Sequence, residues 1–588
     1  MNISPLVVIV RDPGSPLSAR LGSFVDGLTQ TGGLDRLFET DRLIVAGPRT
    51  AAHLVLPDGA GLIWGRLFER MTSWRIKDKD GLRNASAPFE QFVERYWGGY
   101  LAIREIGGIV EILRDPSGAI PCYHARLGDA CIFTTRIALL TDAGLIRPGI
   151  DWTIVTQSLV FQDLRPARTA LRGVDELMPG TSARFVPHRT EIDTVWTPWR
   201  WAARESEIGS LNDAVELVRR AAMNCISAWG QSFEYPLLEL SGGLDSSIVA
   251  AVLAKANRNT HCVTFAAIEG DPDETPYARA AAQALGVTLE VLQPDTALVD
   301  VTRSSAHDLP RPSARAFSQA HDAGLRAIAE RHGSDAFFSG GGGDNVFAYL
   351  RSALPVIDRW KDGSGGVLKT IAEIAQVTDV SFWKVMVASV QRGLRLRSAH
   401  RWLKRDRFMS ARALHDLPFP HGHPWIDAPA TILPGKRVHG LGLIVIQNHL
   451  EGFDRLQDAP IISPLLSQPL IEACMAVPTW LWCAGGENRA VARKAFADLL
   501  PPVVIERRSK GAFDTYSSRV FDANRSAICE MLLSGALARQ SLIDTAQLES
   551  VLAQGTVSKI DVVRLLELVD VEAWVDAWQS RVNGSIVT

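Results

Sequence analysis

The chain has 588 residues, more than one hydrophobic core usually accommodates, so two or more domains are expected. Hydrophobic residues make up 46% of it and charged residues 22%, as in ordinary globular proteins. The net charge of −3 gives no electrostatic reason to expect a nucleic-acid partner, and no apolar run approaches the ~18 residues of a membrane span.

The cysteine pattern and the absence of two motifs further limit the classes of protein to which the chain can belong. Seven scattered cysteines, none in a C-x-x-C pair, predict reduced and mostly buried thiols and a cytoplasmic location. Neither His-Glu-x-x-His nor Gly-x-Ser-x-Gly occurs, so zinc-protease and serine-hydrolase interpretations lack their usual motifs.

The first 205 residues are predicted to form a β-rich domain. Short apolar or alternating runs at 109–113, 130–134 and 182–186 are typical of strands, and turns at 115–118 and 179–180 separate them. A proline-containing connection with tryptophans at 196, 199 and 201 marks the expected domain boundary.

The second domain, residues 206–588, begins with alternating helices and strands. Helices are predicted at 211–229, 245–257 and 275–285, and strands at 235–240, 261–267 and 287–292. This alternation predicts a parallel sheet with helices on both faces, in which ligands bind beyond the carboxyl ends of the strands. After residue 345 the chain is predicted to be mainly helical.

A turn of small residues joins strand 235–240 to the next helix. Its backbone N–H groups and the positive end of the helix dipole favour a phosphate. A Walker loop would end in Lys, whereas this turn continues with Asp-Ser-Ser, so we expect pyrophosphate as a leaving group and chemistry at the α-phosphate. The alternative is a plain structural connection. The predicted nucleotide-binding residues of this first loop are Leu240, Ser241, Gly242, Gly243, Asp245, Ser246 and Ser247.

A second strand–loop–helix unit spans residues 335–347. Its four consecutive glycines, 340–343, are interpreted as a device for close approach to a ligand rather than for packing, with Ser339 and Gly340 at the nucleotide. A flexible loop is the alternative. Asp344 follows at the predicted helix start. Asp245 and Asp344 are predicted to hold Mg²⁺ on a triphosphate, and the alternative is that either caps its helix.

These motifs resemble those of the asparagine-synthetase-type ATP-pyrophosphatase family. Residues 241–247 match its pyrophosphate loop, and residues 339–345 occupy the place of its second loop, Ser-Gly-Glu-Gly-x-Asp-Glu. Residues 508–513 are similar to its Arg-x-Lys-x-x-Phe stretch, so the resemblance implies that Lys510 is the catalytic residue. Further similarities are Asp273-Glu274 with Tyr277-Ala278, Leu285-Gly286, and, in the first domain, residues 114–118 with Pro121 and Tyr123.

The resemblance implies an α/β protein in two parts. Residues 1–205 would be a degenerate glutaminase-like domain, an Ntn-hydrolase-type α+β sandwich without its nucleophile. Residues 206–588 would be a doubly wound parallel-sheet ATP-pyrophosphatase synthetase domain with a helical C-terminal part. The resemblance also implies a carbon–nitrogen ligase that uses ATP and Mg²⁺ and releases AMP and pyrophosphate.

Three positions depart from the glutamine-dependent members. Asn2 stands where a working glutaminase needs a nucleophile, usually Cys, which disfavours asparagine synthesis from glutamine. Gly341 and Asn345 stand where asparagine synthetases have acidic residues. In these features the chain looks like the lasso-peptide macrolactam synthetases (lasso cyclases) of antibiotic biosynthesis. These enzymes adenylate an Asp or Glu side chain of a precursor peptide and join it to the peptide's N-terminal amine. The resemblance implies a precursor peptide as substrate and a leader-binding protein or leader peptidase as partner.

Two explanations of Gly341 stay open. An α-amino group has a reference pKa of about 7.7–8.0, so part of it is already neutral and needs no acidic helper at this position. Alternatively, glycine makes room for a bulky folded peptide.

Two other functions are weighed against cyclisation. A small-molecule amide or β-lactam synthetase of the same family would also lack the nucleophile, but tends to carry a Tyr near position 341, which is absent here. A non-catalytic nucleotide-binding regulator is disfavoured by the intact first loop, Asp344 and Lys510. Arg489 and Arg493, one helical turn apart, correspond to a basic pair in relatives, for which a phosphate contact and a surface position are equally open.

Overall fold

The structure is a computed structural model that describes the chain except for residues 1–3, 13, 15–16, 32, 58, 84, 187–188, 204–207, 258, 350, 396–401, 509–513 and 585–588. The described strands are β1 (Val7–Val10), β2 (Asp35–Glu39), β3 (Leu43–Gly47), β4 (His53–Val55), β5 (Gly61–Glu69), β6 (Arg75–Ile76), β7 (Tyr96–Ile106), β8 (Ile109–Arg114), β9 (Tyr123–Leu127), β10 (Ala130–Thr134), β11 (Val174–Glu176), β12 (Thr181–Val186), β13 (Arg189–Thr194), β14 (Pro236–Glu239), β15 (His261–Phe265), β16 (Thr288–Leu292), β17 (Ala336–Phe338) and β18 (Ile461–Ile462).

The described α-helices are α1 (Leu17–Thr31), α2 (Phe89–Arg95), α3 (Ala138–Asp142), α4 (Trp152–Val160), α5 (Trp199–Ala202), α6 (Leu211–Gly230), α7 (Leu244–Ala256), α8 (Thr275–Leu285), α9 (Gln319–His332), α10 (Gly343–Val346), α11 (Leu354–Asp362), α12 (Val367–Thr378), α13 (Phe382–Arg395), α14 (Ala411–Leu414), α15 (Pro434–Gln447), α16 (Gln468–Ala476), α17 (Ala490–Ala495), α18 (Pro502–Ile505), α19 (Asp514–Ala523), α20 (Arg525–Ser534), α21 (Ala536–Arg539), α22 (Thr545–Leu552) and α23 (Lys559–Gly584). Short 3₁₀ helices lie at Lys79–Gly81, Thr296–Leu298, Ala316–Ser318, Asp454–Gln457, Pro464–Leu466 and Thr479–Gly486.

Strands β1 to β13 form two antiparallel sheets, which we call the two-sheet region (residues 4–203). The sheet orders are β11-β9-β10-β1-β3-β2 and β13-β12-β8-β7-β5-β4, with β6 paired to β5. The strands predicted at 109–113, 130–134 and 182–186 are confirmed as β8, β10 and β12.

The two sheets face each other across an apolar core. Val8 and Val45 of the first sheet share one cluster of buried side chains with Leu62 and Leu101 of the second. Successive residues of a strand point to opposite faces, so Val7, next to Val8, packs on the outer face of the first sheet, within the cluster that includes α1.

Strands β14 to β18 form a parallel sheet of order β16-β15-β14-β17-β18 in the parallel-sheet region (residues 208–584). Leu237 and Val263 pack with residues of α9 on one face, whereas Leu238 and Cys262 belong to the cluster that includes α7 and α8 on the other. Helices therefore cover both faces, as predicted. The predicted helices and strands from 211 to 292 are confirmed, with bounds that differ by two residues or fewer.

After residue 345 the described chain is mainly helical, as predicted, with β18 as a short exception. All seven cysteines are unpaired and six are buried, which confirms the predicted thiols. Within the described part of the chain, every helix is too short or too polar to cross a bilayer.

A buried cluster of charges joins the two regions. Glu176 of β11 accepts hydrogen bonds from Arg114 at 2.7 Å, from Arg165 at 2.9 Å and from Arg311 at 3.0 Å. Burial alone would raise the pKa of Glu176, but the three guanidinium groups outweigh it and hold that pKa well below its ordinary value. The predicted boundary at 205/206 falls within residues 204–207, outside the described residues, and stays a prediction.

Candidate functional site

The first loop (residues 240–247) is shaped by its own serines. Ser241 Oγ and Ser246 Oγ lie 3.0 Å apart, and Ser246 Oγ accepts the Ser241 N–H at 3.2 Å. Gly242 has φ +71°, and a Cβ there would lie 2.4 Å from the Ala278 nitrogen of α8, so turn and packing both require glycine. Helix α7 follows with Gly243 as its N-cap, and its first N–H groups have no intrahelical acceptor. This is the N–H-lined turn that suits a phosphate.

Two predicted residues of the first loop are closed from solvent. Leu240 and Ser247 are fully buried, and the Leu240 N–H donates to the Val263 carbonyl at 2.8 Å. Ser247 Oγ has no hydrogen-bond partner among the described residues. A phosphate would reach the Ser247 hydroxyl only if the turn opened, so its predicted contact stays a prediction.

The glycines of the second loop (residues 339–345) are explained mainly by packing, which corrects the sequence interpretation. A Cβ on Gly340 would lie 2.5 Å from the Ser246 nitrogen, and one on Gly343 would lie 2.3 Å from Asp245 Cγ. Gly342 has φ +87°, and its Cβ would meet a Leu466 side chain at 2.5 Å. Three of the four glycines therefore let the second loop pack directly on the first loop and its surroundings, where any side chain would collide.

Gly341 is the exception among the four. The nearest atoms to a Cβ there are Ser339 Oγ at 3.2 Å and Ser463 Oγ at 3.6 Å, both in rotatable side chains. Ser339 Oγ also accepts the Gly341 N–H at 3.0 Å. Packing does not demand glycine at 341 as it does at the three neighbouring positions.

Asp245 and Asp344, from different loops, meet at one guanidinium. Arg489 Nη1 lies 2.9 Å from Asp245 Oδ2 and 2.7 Å from Asp344 Oδ1. Arg489 has φ +54°, an uncommon conformation for a residue with a side chain, and its guanidinium lies 5.1 Å from the Tyr349 ring centre. The Asp245 and Asp344 side chains are 17% and 28% exposed, so both carboxylates share a cation while remaining open to solvent.

The helix-cap alternative is wrong for both aspartates. The N-caps of α7 and α10 are Gly243 and Gly342, and Asp245 and Asp344 lie in the first turns. Two carboxylates that converge on one cation also suit a divalent ion that carries phosphate oxygens. The residues present therefore fit Mg²⁺, whose binding by Asp245 and Asp344 stays a prediction.

A cavity opens beyond the carboxyl ends of β14 and β15. It adjoins the first loop through Ser241, and Glu239, Thr264 and Tyr516 are among its other lining residues. Its position is the one expected for ligands of open parallel sheets.

Two titratable residues of this cavity, Glu239 and His321, were not predicted from the sequence. Burial lowers the pKa of His321, while the Glu239 carboxylate acts in the opposite direction. The ring centre of His321 lies 4.3 Å from that of Phe265 at the end of β15. Glu239 carried a signal, since it is the charged residue of the otherwise apolar strand β14. No sequence pattern indicated His321, because the packing of α9 brings it to this cavity.

Lys510, the predicted catalytic residue, lies outside the described residues. The chain before it is tied to the site: Arg493 donates to the Arg507 carbonyl at 2.9 Å, and Arg507 forms an ion pair with Glu274. Arg493 is 4% exposed, and the Arg489 side chain is 14% exposed, so the surface alternative is wrong for both arginines.

The chain after residue 513 is anchored beside the same cavity. Asp271, another lining residue, accepts the N–H groups of Thr515 and Tyr516 at 2.9 and 3.0 Å. Both flanks of residues 509–513 are therefore held near the first loop.

The glutaminase-like motif at 114–118 forms a buried structural turn. Asp115 Oδ1 accepts the N–H groups of Ser117 and Gly118 at 2.8 and 3.1 Å, and Oδ2 accepts the Tyr100 N–H at 3.2 Å. Asn2, where relatives have the nucleophile, lies outside the described residues.

Three solved structures match parts of the chain at low identity. The glutamine-dependent NAD+ synthetase from Acinetobacter baumannii, in complex with ADP, is 14% identical over 37% of this chain and 48% of its own, with a TM-score of 0.17. The allosteric regulatory enzyme of purine biosynthesis is 9% identical over 49% and 74%, with a TM-score of 0.20. Glutamine phosphoribosylpyrophosphate amidotransferase from B. subtilis, complexed with ADP and GMP, is 9% identical over 57% and 90%, with a TM-score of 0.22. The chain spans about half the length of the NAD+ synthetase, and TM-scores this low carry no argument about fold or function.

The family comparison is informative. Curated protein sequences give no significant match. The family model described as asparagine synthase matches residues 236–580, more than half of the chain, and this stretch contains both loops, both aspartates and Arg489. The chain therefore belongs to the asparagine synthase family, a family of ATP-dependent carbon–nitrogen ligases, which is the enzyme class expected from its sequence.

Proposed function

We propose that the chain is an ATP-dependent lasso-peptide cyclase. A side-chain carboxylate of a precursor peptide attacks the α-phosphate of ATP, and pyrophosphate leaves. The N-terminal amine of the same peptide then attacks the acyl-adenylate, loses a proton and displaces AMP, which closes a macrolactam. The observation that carries the proposal is the contact between the two loops, which brings Asp245 and Asp344 to one cation. The first loop also adjoins the cavity at the strand ends through Ser241.

The described residues support binding and positioning of the triphosphate. The N–H groups at the start of α7 offer donors to phosphate oxygens, and Ser241 and Ser246 hold the turn in shape. Asp245 and Asp344 would hold Mg²⁺, which supplies charge neutralisation on the phosphates when bound. Arg489 balances the two carboxylates when no nucleotide is present.

The proposal assigns the remaining positive charge to Lys510. Phosphoryl-type transfer depends on positioning and charge stabilisation rather than on covalent help from the protein. A cation on residues 509–513 would act there, because Arg507 and Thr515 tie both flanks of that segment beside the nucleotide cavity.

Two observations favour a peptide over a small acceptor. A polar cavity of about 390 Å³ lies next to Arg489 and is lined by Tyr349, Arg351, Asn488 and Arg508, among others. Its size suits a substrate larger than an amino acid. Gly341 also adds no side chain to the second loop, where an acidic residue would take up space.

The two-sheet region is proposed to be a retained scaffold. Asn2 has no nucleophilic atom, and Arg114 and Asp115 of its glutaminase-like motif are occupied by structural hydrogen bonds. We also propose a cytoplasmic location and a separate leader-binding protein or leader peptidase, which would deliver the precursor.

The test uses the purified full-length chain with ATP, Mg²⁺ and synthetic peptides that begin with Gly and carry one Asp or Glu downstream. Cyclisation predicts AMP, pyrophosphate and a peptide lighter by one water. With ¹⁸O in the side-chain carboxylate, one label appears in AMP. An N-acetylated copy of an active peptide is the matched control: it should support pyrophosphate–ATP exchange and form no ring.

Other outcomes would contradict either the adenylation step or the choice of a peptide as substrate. ADP and phosphate as products, or no ¹⁸O in AMP, would contradict adenylation itself. Pyrophosphate exchange with a small amino acid but with no peptide, including the natural precursor, would favour the small-molecule synthetase instead.

A further inference from the structure

Three metal-ligating side chains meet at the edge of the parallel sheet, away from both loops. His261 Nε2 and His332 Nε2 lie 3.0 and 2.8 Å from the same carboxylate oxygen, Glu290 Oε1. The two imidazole rings stack with their centres 4.0 Å apart. One ligand atom from each residue lies within 4.8 Å of the other two, so a single ion can contact all three.

The fold brings these residues together from separate elements. His261 is the first residue of β15 and pairs with Thr288, while Glu290 lies two residues further along β16 and therefore on the same face. His332 is the last residue of α9, which packs on that face and ends at Gly333 with φ +61°. The nucleotide cavity lies at the other end of β15, about 13 Å away at ~3.3 Å per residue.

We propose that His261, Glu290 and His332 form a Zn²⁺ site with a structural role, independent of the proposed peptide chemistry. Two imidazole nitrogens and one carboxylate oxygen are ligands that Zn²⁺ prefers, and water completes the tetrahedron. Mg²⁺ and Ca²⁺ prefer oxygen ligands alone, so they are disfavoured here.

The surrounding residues hold the carboxylate ready. Arg331 Nη1 lies 2.9 Å from Glu290 Oε2, the oxygen that does not face the two histidines. This contact orients the carboxylate and leaves Oε1 for the ion, as outer hydrogen bonds do at known metal sites. A bound ion would cross-link β15, the edge strand β16 and the end of α9.

The experiment uses the full chain, stripped with a chelator and titrated with Co²⁺ as a spectroscopic substitute for Zn²⁺. We expect one equivalent of Co²⁺ to give the intense visible absorption of a tetrahedral site, and Zn²⁺ to abolish it by displacement. Excess Zn²⁺ should raise the Tm by about 2–4 °C. His332→Ala should weaken binding at least about tenfold and remove both signals.

The controls separate loss of a ligand from loss of fold. The His332 side chain is 36% exposed, so the chelator-treated variant should keep the Tm of the chelator-treated wild type. His415→Ala removes a histidine whose side chain is 79% exposed, away from the cluster, and should bind Co²⁺ like wild type. Equal Co²⁺ binding by wild type and His332→Ala, or no tetrahedral spectrum in the wild type, would overturn the proposal whatever the outcome of the cyclisation assay.

Discussion

Two carboxylates of the two-sheet region and two of the parallel-sheet region have different surroundings. In the first, Glu176 is buried among three arginines, and Asp115 is held by N–H groups of its own turn. In the second, Asp245 and Asp344 stay partly exposed and share Arg489. Charges with fixed internal partners stabilise a fold, whereas charges that share a cation at an accessible position are available to a ligand. We therefore expect changes at Glu176 to affect stability and changes at Asp245 or Asp344 to affect ligand binding.

The largest expected effect is the loss of stability when the buried carboxylate of Glu176 is removed. Glu176→Gln would remove the carboxylate that three buried guanidinium groups share, and Arg165 would keep its second carboxylate, Glu451. The loss should cost about 3–5 kcal/mol of unfolding free energy. Guanidinium denaturation of wild type and variant measures it. The fraction that remains folded should still support pyrophosphate–ATP exchange.

The matched control for this prediction is Glu39→Gln. Glu39 pairs with Arg36 at the surface, where its side chain is 40% exposed, so the cost should stay below about 1 kcal/mol. Equal losses at Glu176 and Glu39 would remove the distinction between fixed and accessible charge.

The second-largest effect is expected from Asp344→Asn, which should lower activity and change stability little. Asp344→Asn keeps the shape of the side chain but removes one of the two charges at Arg489, so Mg²⁺-dependent turnover should fall about 100-fold or more. The Tm should change little, because Asp344 is not a helix cap. Initial rates over a Mg²⁺ titration, with parallel melting curves, measure both.

Asp544→Ala is a suitable comparison, since Asp544 caps α22 through the Gln547 N–H and its removal should cost about 1 kcal/mol of stability without lowering turnover. Parallel losses of turnover and Tm in Asp344→Asn would make Asp344 a structural residue.

A third prediction concerns pH and a buried carboxylate of the parallel-sheet region. Asp570 of α23 accepts the Ala316 N–H at 2.7 Å, and burial, opposed by the nearby charge of Arg315, raises its pKa to about 7. Because this pKa exceeds the ~3.9 of an unfolded Asp, folding favours the protonated form. The stabilisation is complete below about pH 4 and is lost as pH rises through about 7. Glu176, with its lowered pKa, behaves in the opposite way and loses its contribution on acidification.

The variant Asp570→Asn keeps an acceptor for Ala316 and cannot ionise. Denaturation midpoints between pH 4.5 and 8 should show wild type losing about 1 kcal/mol or more relative to the variant as pH rises. A difference that is constant across this range would contradict the raised pKa.

What could be predicted from the sequence was local. The helix at 275–285 and the strand–turn–helix at the first loop follow from hydrophobic spacing and small residues in one short stretch. The contact of Arg489 with both aspartates could not be predicted, because Asp344 and Asp245 lie 145 and 244 residues away from it in the chain.

The glycine run was misinterpreted for the same reason. Nothing within residues 340–343 tells that Ser246, Asp245 and Leu466 lie against three of them. A glycine demanded by packing and one demanded by a ligand look alike until the opposing surface is known. Packing does not explain Gly341, so this position is the one to test for an effect on the substrate.

The smallest expected effect tests that position. Gly341→Glu and Gly341→Gln add side chains of equal size that differ in charge, and both have room because the nearest atoms are serine hydroxyls. If glycine serves to make room for a folded peptide, both variants should lower turnover alike, by no more than about tenfold, with the same pH profile. Rates on one peptide from pH 6 to 9 measure this. The opposite outcome is a turnover severalfold higher with Glu than with Gln, most of all below the amine pKa of about 8. It would mean that an acidic group at 341 helps to deprotonate the peptide amine, and that Gly341 does not supply this assistance.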